Sequence, residues 1–198
     1  MSAVDLVFVL EGRAVAEDYA DLLWQSVRRA LPWFEDETDA AVHPLVGTSP
    51  GSGELYLSRR SRLVLRVAAD AVERTMALSG TEFDLGGRVR VGAATRRELG
   101  QSKVLYSHFV EVGLADEVAF LDECRRLLDA AQVGGEMVAG RPQRMRVGAS
   151  DLRGFSLMLH GLNAAESIRL QHAGLGNERK RCCGVFIPHK AVASVGEQ

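Results

Sequence analysis

Glycines, basic residues and adjacent cysteines crowd into one stretch near the end of the chain, AGLGNERKRCCGVFIP, at residues 173–188. Glycine tolerates positive φ and lets backbone approach a ligand closely, and main-chain N–H groups beside basic side chains can bind phosphates. No Walker pattern is present, and the stretch precedes a strand pattern, which excludes a dinucleotide fingerprint. We predict phosphate contacts from Gly174, Gly176, Arg179, Lys180, Arg181 and Gly184. The alternative is a basic αβ loop with a helix C-cap at Gly174.

Two strand-like segments carry arginines in a row. In SRRSRLVLR, alternation predicts that Arg60, Arg62 and Arg66 share one strand face, and QRMRV repeats the pattern with Arg144 and Arg146. The planar guanidinium group binds phosphate through two parallel hydrogen bonds. We therefore predict that these arginines contact a polyanion.

Charge is segregated along the chain, although the net charge is only −2. Residues 1–56 carry 3 basic and 10 acidic side chains, and residues 98–140 carry 3 and 8. Residues 57–97 carry 9 basic and 4 acidic side chains, and residues 141–190 carry 9 and 3. If the two basic segments share a face, they form a surface for a polyanion. The alternative is solvated faces that are balanced by acids elsewhere in the fold.

Composition excludes several classes of protein. With 198 residues, of which 46% are hydrophobic and 25% charged, the chain has the composition of a globular protein. The start, MSAVDLVFVLEG, lacks the basic flank of a signal peptide, and no apolar run is long enough to cross a bilayer, so we expect a cytoplasmic protein without membrane contact. Cys124, Cys182 and Cys183 lack the spacing of a zinc site. They are predicted to be reduced, packed residues, and no metal or cofactor is expected.

The apolar pattern predicts the same order of elements twice. In the first half, Asp5–Leu10 is a buried strand, and a helix follows with Ala20, Leu23, Val27, Ala30 and Phe34 on one stripe. ELYLSRRSRLVLRV predicts one or two strands, AADAVERTMAL a helix capped by Asp70 and Glu73, and GRVRVGA a closing strand.

The second half repeats this order with KVLYSHFVEV as a strand and ADEVAFLDECRRLLDAAQ as a helix. Two strands in QRMRVGASDLRGFSLMLHGL, a helix capped by Asn163 and Glu166, and a strand in GVFIP complete it. We predict an α+β protein with two tandem ferredoxin-like, RRM-like βαββαβ domains. The domains are placed at residues 1–98 and 99–190, and residues 191–198 form a tail.

These residues resemble the sixth CRISPR-associated (Cas) protein family, the repeat-RNA processing endoribonucleases of the RAMP superfamily. The resemblance rests on VDLVFVLEG, HPLVG, SRLVLRV, VRVGA, GFSLMLHGLNAAESIRLQHAGLG and CCGVFIP, and it spans nearly the whole chain. It is similar to the short members of the type I "myxan" subtype.

The resemblance implies metal-independent RNA cleavage. The ribose 2′-OH attacks the adjacent phosphate, and the products are a 2′,3′-cyclic phosphate and a 5′-OH. The partner is the repeat RNA hairpin of the precursor transcript, and other subunits of a CRISPR effector complex are further candidate partners. The arginines and the glycine-rich loop would then contact RNA.

The sequence departs from this family at the expected catalytic positions. Tyr19 stands where relatives usually carry a histidine at the start of the first helix, and Glu35 stands where a second histidine often follows. We take Tyr19 and His43 as the candidate catalytic residues, against the alternatives of packing for Tyr19 and a plain turn residue for His43. His108, in a strand beside Tyr106, is predicted to be packed or at an edge.

Three functions remain open on this basis. The first is a guide-RNA processing endoribonuclease. The second is an inactive subunit that holds the repeat hairpin in an effector complex, which the missing helix histidine favours. The third is a ferredoxin-like interaction module without an RNA ligand, for which weak, salt-sensitive RNA binding is expected.

Overall fold

The computed structural model describes residues 2–148 and 150–189. Two similar α+β halves follow one another along the chain. The first half contains β1 (Ala3–Glu11), β2 (Ala14–Ala16), α1 (Ala20–Ala30), β3 (Ala41–Val42), β4 (Glu54–Tyr56), β5 (Arg62–Ala68), α2 (Val72–Thr75), β6 (Glu82–Asp84) and β7 (Arg88–Glu98). The second half contains β8 (Val104–Val110), α3 (Glu117–Ala130), β9 (Glu136–Val147), β10 (Ser150–His160), α4 (Ala164–Ala173) and β11 (Ile187–Pro188).

Both main sheets have the strand order of a ferredoxin-like unit. The first sheet runs β3-β5-β1-β7-β6 and the second runs β11-β8-β10-β9, and all neighbouring strands are antiparallel. When the edge strand β6 is set aside, each sheet has four strands, which in chain order are β1, β3, β5 and β7 in the first and β8, β9, β10 and β11 in the second. In both sheets the first of these four strands lies between the third and the fourth. This is the arrangement of the βαββαβ unit, and the predicted fold class is confirmed. The division into domains at residue 98 stays a prediction, and the predicted tail lies outside the described residues.

Alternation in the strands sets which face of the first sheet is buried. Along β1, Val4, Leu6 and Phe8 are fully buried and pack with Leu23 and Val27 of α1 in one core. The second core is separate and is centred on Phe120, Cys124 and Leu128 of α3. Two second-half residues also reach the first core, namely Cys182 within it and Met145 against it. All three cysteines are unpaired and buried, as predicted.

Several predicted elements differ from the observed ones. The first helix begins at Ala20, because residues 14–16 form a strand, and it ends before Pro32, where a 3-10 turn carries Phe34 into the core. Ala30 is consequently exposed. The predicted helix in AADAVERTMAL is a four-residue α-helix between two 3-10 turns, and Asp70 and Glu73 make no capping hydrogen bond.

The last helix agrees with its prediction. Asn163 accepts a hydrogen bond from the Glu166 N–H, while the Glu166 carboxylate accepts one from the Asn163 N–H, which completes a capping box. Gly174 ends α4 with φ of 67°. The predicted strand GVFIP is shorter than expected, since only Ile187–Pro188 pairs with β8.

Candidate functional site

A cleft of about 760 Å³ separates the two halves beside the β9–β10 hairpin. We call it the hairpin cleft. First-half residues on one wall face strand residues of the second half on the other, and those that bear on function are Glu17, Asp18, Tyr19, Pro44, Leu45, Val46, His108, Gln143, Arg144, Arg146 and Asp151. Tyr19 is therefore brought together with Arg144 and Arg146, which lie 125 or more positions further along the sequence.

Tyr19 lies at the N-terminus of α1 with its hydroxyl group tied to the neighbouring loop. The hydroxyl oxygen accepts a hydrogen bond of 2.7 Å from the Leu45 N–H, and its nearest acceptor is the Leu45 carbonyl oxygen at 3.4 Å. Burial, assisted by nearby Cys182, raises the pKa of Tyr19 well above its ordinary value. Tyr19 is therefore a neutral phenol at pH 7, able to donate a hydrogen bond but unable to act as a general base.

A second cleft, of about 510 Å³, lies between the outer face of the first sheet and the β11–β8 edge of the second. We call it the sheet cleft. The residues that bear on function are Asp5, His43, Pro44, Val46, Arg60, Arg62, Arg97, Glu98, His108 and Ile187. Its lining carries three arginines, Arg60, Arg62 and Arg97, against the two carboxylates of Asp5 and Glu98, which gives this cleft a positive balance of charge.

Asp5 is the centre of a buried charge cluster below the sheet cleft. Its carboxylate lies 2.8 Å from Arg66 Nε, 3.0 Å from an Arg97 nitrogen and 3.3 Å from His43 Nε2. Burial raises the pKa of Asp5, but the polar contacts with His43 and Arg66 outweigh it and hold the pKa well below its ordinary range. The cluster therefore contains a carboxylate that stays charged.

His43 is placed under the cleft floor, away from solvent. Only 5% of the residue is exposed, and Nε2, which lies 3.3 Å from the Asp5 carboxylate, has no hydrogen-bond partner among the described residues. Burial, opposed by Asp5 and assisted by the charge of Arg66, lowers the pKa of His43. His43 is therefore part of a buried polar cluster at the edge of the sheet cleft, and its predicted catalytic role stays a prediction.

The predicted arginine row does not form a single exposed face. Arg60 lies in the turn before β5, and Arg62 is the first residue of the strand, so both remain at the sheet cleft. Arg66 is 1% exposed, and besides Asp5 it donates to the carbonyl oxygens of Gln171 and Phe186. The guanidinium group of Arg66 therefore joins the first sheet to the second half, and its predicted contact with a polyanion stays a prediction.

The glycines of residues 174–184 bring the chain close to itself. Gly174, Gly176 and Gly184 have φ of 67°, 77° and 61°. A Cβ atom at Gly176 would lie 2.2 Å from the Glu111 carbonyl oxygen, and one at Gly184 would lie 2.0 Å from the Leu175 carbonyl oxygen. Gly174 and Gly184 are buried and pack closely against backbone, and their predicted ligand contact stays a prediction. Only Gly176 keeps partial exposure.

The three basic residues of this loop bind the first half and the loop itself. Arg181 Nε lies 2.9 Å from Asp21 of α1, and Lys180 donates to the Glu35 carbonyl oxygen. Arg179 donates to the His172 carbonyl oxygen, and burial with the nearby Arg66 charge lowers its pKa to about 10. Each of the three side chains thus has at least one hydrogen bond within the protein, and their predicted contact with a ligand stays a prediction.

One histidine that sequence reasoning set aside lies in both clefts. His108, on β8, is exposed, and it lines the hairpin cleft and the sheet cleft. Its carbonyl oxygen accepts a hydrogen bond of 2.9 Å from Gln143 Nε2. Strand alternation in VLYSHFV separates Ser107 and Phe109, which are buried, from His108, and this was the available signal.

Within the described residues, no three His, Cys, Asp or Glu side chains converge in a way that could hold a metal ion. Of the helices in the same residues, none has the length and hydrophobicity needed to span a membrane.

Comparison with known proteins decides the family. A family model described as Cas6 Crispr matches residues 4–191. The chain belongs to the Cas6 family. It is similar to the CRISPR-associated endonuclease Cas6 of Myxococcus xanthus strain DK1622, with 34% identity over 197 residues, 98% of this chain and 85% of the relative. The predicted family resemblance is confirmed.

Solved structures related to Cas6 share the fold of this chain. A structure that characterises a Cas6-related gene from Pyrococcus furiosus superposes with a TM-score of 0.71 at 15% identity, covering 96% of this chain and 99% of that one. A structure of a RAMP protein binding different RNA substrates also has a TM-score of 0.71, at 14% identity, covering 96% and 100%. Identities this low support the fold alone.

Proposed function

We propose that this chain is a CRISPR guide-RNA maturation enzyme, an endoribonuclease that binds the repeat hairpin of the precursor transcript and cleaves it. The observation that carries the proposal is the 34% identity to a curated CRISPR-associated endonuclease over 98% of the chain. Because the proposed substrate is a transcript, we infer a cytoplasmic location. Other subunits of a CRISPR effector complex are proposed as further partners.

The two clefts suggest a path for the RNA. Arg60, Arg62 and Arg97 give the sheet cleft the positive charge that a single-stranded backbone needs. Arg144 and Arg146 are exposed on β9 at the hairpin cleft, although Arg144 is also 3.2 Å from Asp151. We propose that the single strand occupies the sheet cleft and that the RNA hairpin lies against β9. Of the glycine-rich loop, Gly176, Arg179, Lys180 and Arg181 are partly exposed and are proposed as further RNA contacts.

The proposed reaction uses the RNA's own 2′-OH. That oxygen attacks the adjacent phosphorus, the bond from phosphorus to the 5′-oxygen breaks, and a 2′,3′-cyclic phosphate and a 5′-OH result. The step requires no metal or cofactor. Tyr19 is proposed to donate its hydroxyl proton in a hydrogen bond to the phosphate oxygens, in exchange for the long hydrogen bond of 3.4 Å that it donates to the Leu45 carbonyl oxygen.

The test is incubation of the full chain with repeat RNA from its own genomic neighbourhood in EDTA, beside RNA with a 2′-deoxy sugar at each candidate cut site. We expect cleavage at one position, blocked by one deoxy substitution. Affinity is measured in parallel for the double variant Arg60→Ala/Arg62→Ala. Loss of two single-strand phosphate contacts should lower the slope of log affinity against log salt by about 1.4.

The matched control is Arg88→Ala/Arg126→Ala, which removes two exposed arginines that line neither cleft. We expect its affinity and salt slope to equal those of the wild type. Equal slopes for both double variants would remove the sheet cleft from the RNA path. Cleavage that requires a divalent metal would contradict the proposed chemistry.

A second candidate function is a repeat-hairpin-binding subunit without nuclease activity. The observation that favours it is the absence of a solvent-accessible histidine at either position that the family pattern predicts, since Tyr19 replaces one and Glu35 the other. Tight binding without cleavage in the same experiment would select this function.

A further inference from the structure

His108 occupies the point where the two clefts meet. Together with Pro44 and Val46, it lines both the hairpin cleft and the sheet cleft. An RNA strand that leaves the sheet cleft toward β9 must therefore pass this side chain. Of the five histidines, only His43 and His108 line these clefts, and His43 is buried.

The imidazole of His108 is held in place but is left chemically available. Its ring makes an edge contact with Tyr106, with ring centroids 4.9 Å apart and an interplanar angle of 77°. In the part of the chain that the structure describes, neither ring nitrogen has a hydrogen-bond partner. The contact between Gln143 and the His108 carbonyl oxygen fixes the backbone on the other side. An oriented, exposed imidazole without a partner is suited to proton transfer.

We propose that His108 is the catalytic proton acceptor in RNA cleavage and takes the place of the missing helix histidine. This assignment rests on the proposed function. A ring nitrogen of His108 takes the proton of the attacking 2′-OH as the bond from that oxygen to phosphorus forms. The bond from phosphorus to the 5′-oxygen breaks, and the departing oxygen takes a proton from water.

The surroundings of His108 favour the neutral form that this role requires. Partial burial, with a smaller contribution from the charge of His189, lowers the pKa of His108. The side chain is therefore uncharged at pH 7 and has a free lone pair for a proton. Tyr19, which shares the hairpin cleft, supplies the complementary donor to the phosphate.

The test measures cleavage and binding separately for His108→Ala and His108→Gln. With protein in saturating excess over repeat RNA, the single-turnover rate of both variants should fall by about 10²- to 10⁴-fold, the usual contribution of a general base. Affinity for the uncleaved 2′-deoxy RNA should stay unchanged. Added imidazole should restore part of the rate of the alanine variant, which has space for it, and a purely structural role would not be rescued in this way.

His160→Ala is the matched control, because His160 lies on the neighbouring strand β10, is also solvent-accessible, and lines neither cleft. Its rate should equal that of the wild type. A wild-type rate in the glutamine variant would overturn the assignment of His108 alone, while a wild-type protein that cleaves no repeat RNA would overturn the proposed nuclease as well. Should the alanine variant not fold, the glutamine variant still decides.

Discussion

A single hydroxyl group ties the first helix to the floor of the hairpin cleft. The Leu45 N–H donates to Tyr19 at 2.7 Å, so the position where the family resemblance implies a histidine also holds the loop around Pro44 in place. Because its pKa is raised, Tyr19 stays protonated at pH 7 and cannot act as a general base. Its remaining chemistry is donation of one hydrogen bond.

Tyr19→Phe separates the structural from the chemical part of this role. The free energy of unfolding should fall by about 1 kcal/mol, because the Leu45 N–H loses its acceptor, and urea titration measures this. The single-turnover cleavage rate should fall as well. Tyr56→Phe is the control, since among the described residues that hydroxyl donates only to the exposed Glu54 side chain. A destabilised variant with an unaltered cleavage rate would assign Tyr19 to packing alone.

At the scale of elements, the glycine-rich loop is a connector that fits against β8. The Asn177 N–H donates to the Glu111 carbonyl oxygen, and the Gly184 N–H donates to the Phe109 carbonyl oxygen. These bonds run along the end of β8, which also carries His108. The loop therefore fixes the strand that forms the junction of the two clefts.

Gly176→Ala tests this packing. The alanine would have to adopt a positive φ, and its Cβ atom would lie 2.2 Å from the Glu111 carbonyl oxygen. The free energy of unfolding should therefore fall by more than about 1 kcal/mol. Gly80→Ala is the matched control, because Gly80 has φ of 89° with open space around its Cβ position. The difference between the two urea midpoints isolates the close contact. Equal midpoints would show that the loop yields freely and is not packed against β8.

How much the sequence could predict depends on the range of the interaction. The order of the main strands and helices and the Asn163 cap follow from local patterns, whereas the short strands β2, β3 and β6 were not predicted. The observed Gly174 C-cap agrees with the alternative to a ligand-binding loop. Alternation also placed Arg62 and Arg66 on the same face of β5. It could not show that Asp5, 61 positions away, and the carbonyl oxygens of Gln171 and Phe186 cover the far end of that face.

The same limit explains the candidate site. The sequence shows three basic residues at positions 179–181 but not what they bind. Lys180 donates to Glu35, 145 positions away, and Arg181 donates to Asp21, 160 positions away. His108 was passed over because a strand histidine between buried neighbours resembles a packed residue until a second unit is set against it. The family resemblance indicated which positions along the chain to consider as site residues. It could not indicate which of those side chains are exposed to solvent in the fold.

At the scale of the whole molecule, the cluster of Asp5, His43 and Arg66 couples the two halves and makes their union sensitive to acid. Arg66 is bound to Asp5 in the first sheet and to two carbonyl oxygens of the second half. Asp5, with a pKa held below its ordinary value, contributes stability above about pH 3.9 that is lost as the pH falls further. His43, with a lowered pKa, binds a proton more readily in the unfolded chain.

Folding stability should therefore decline as the pH falls below about 6.5, the ordinary pKa of histidine. In this range His43 binds a proton in the unfolded chain but stays neutral in the folded protein, because burial lowers its pKa. His43→Gln should reduce the difference in unfolding free energy between pH 7.5 and pH 5.5, whatever its effect at pH 7.5. His108 also has a lowered pKa and accounts for part of the decline. His108→Gln serves as the comparison, and the larger reduction is expected from His43→Gln because its imidazole is the more deeply buried. If the unfolding free energy of His43→Gln keeps the same pH dependence, protonation of His43 does not open the junction between the halves. The acid sensitivity of that junction would then come from Asp5 alone.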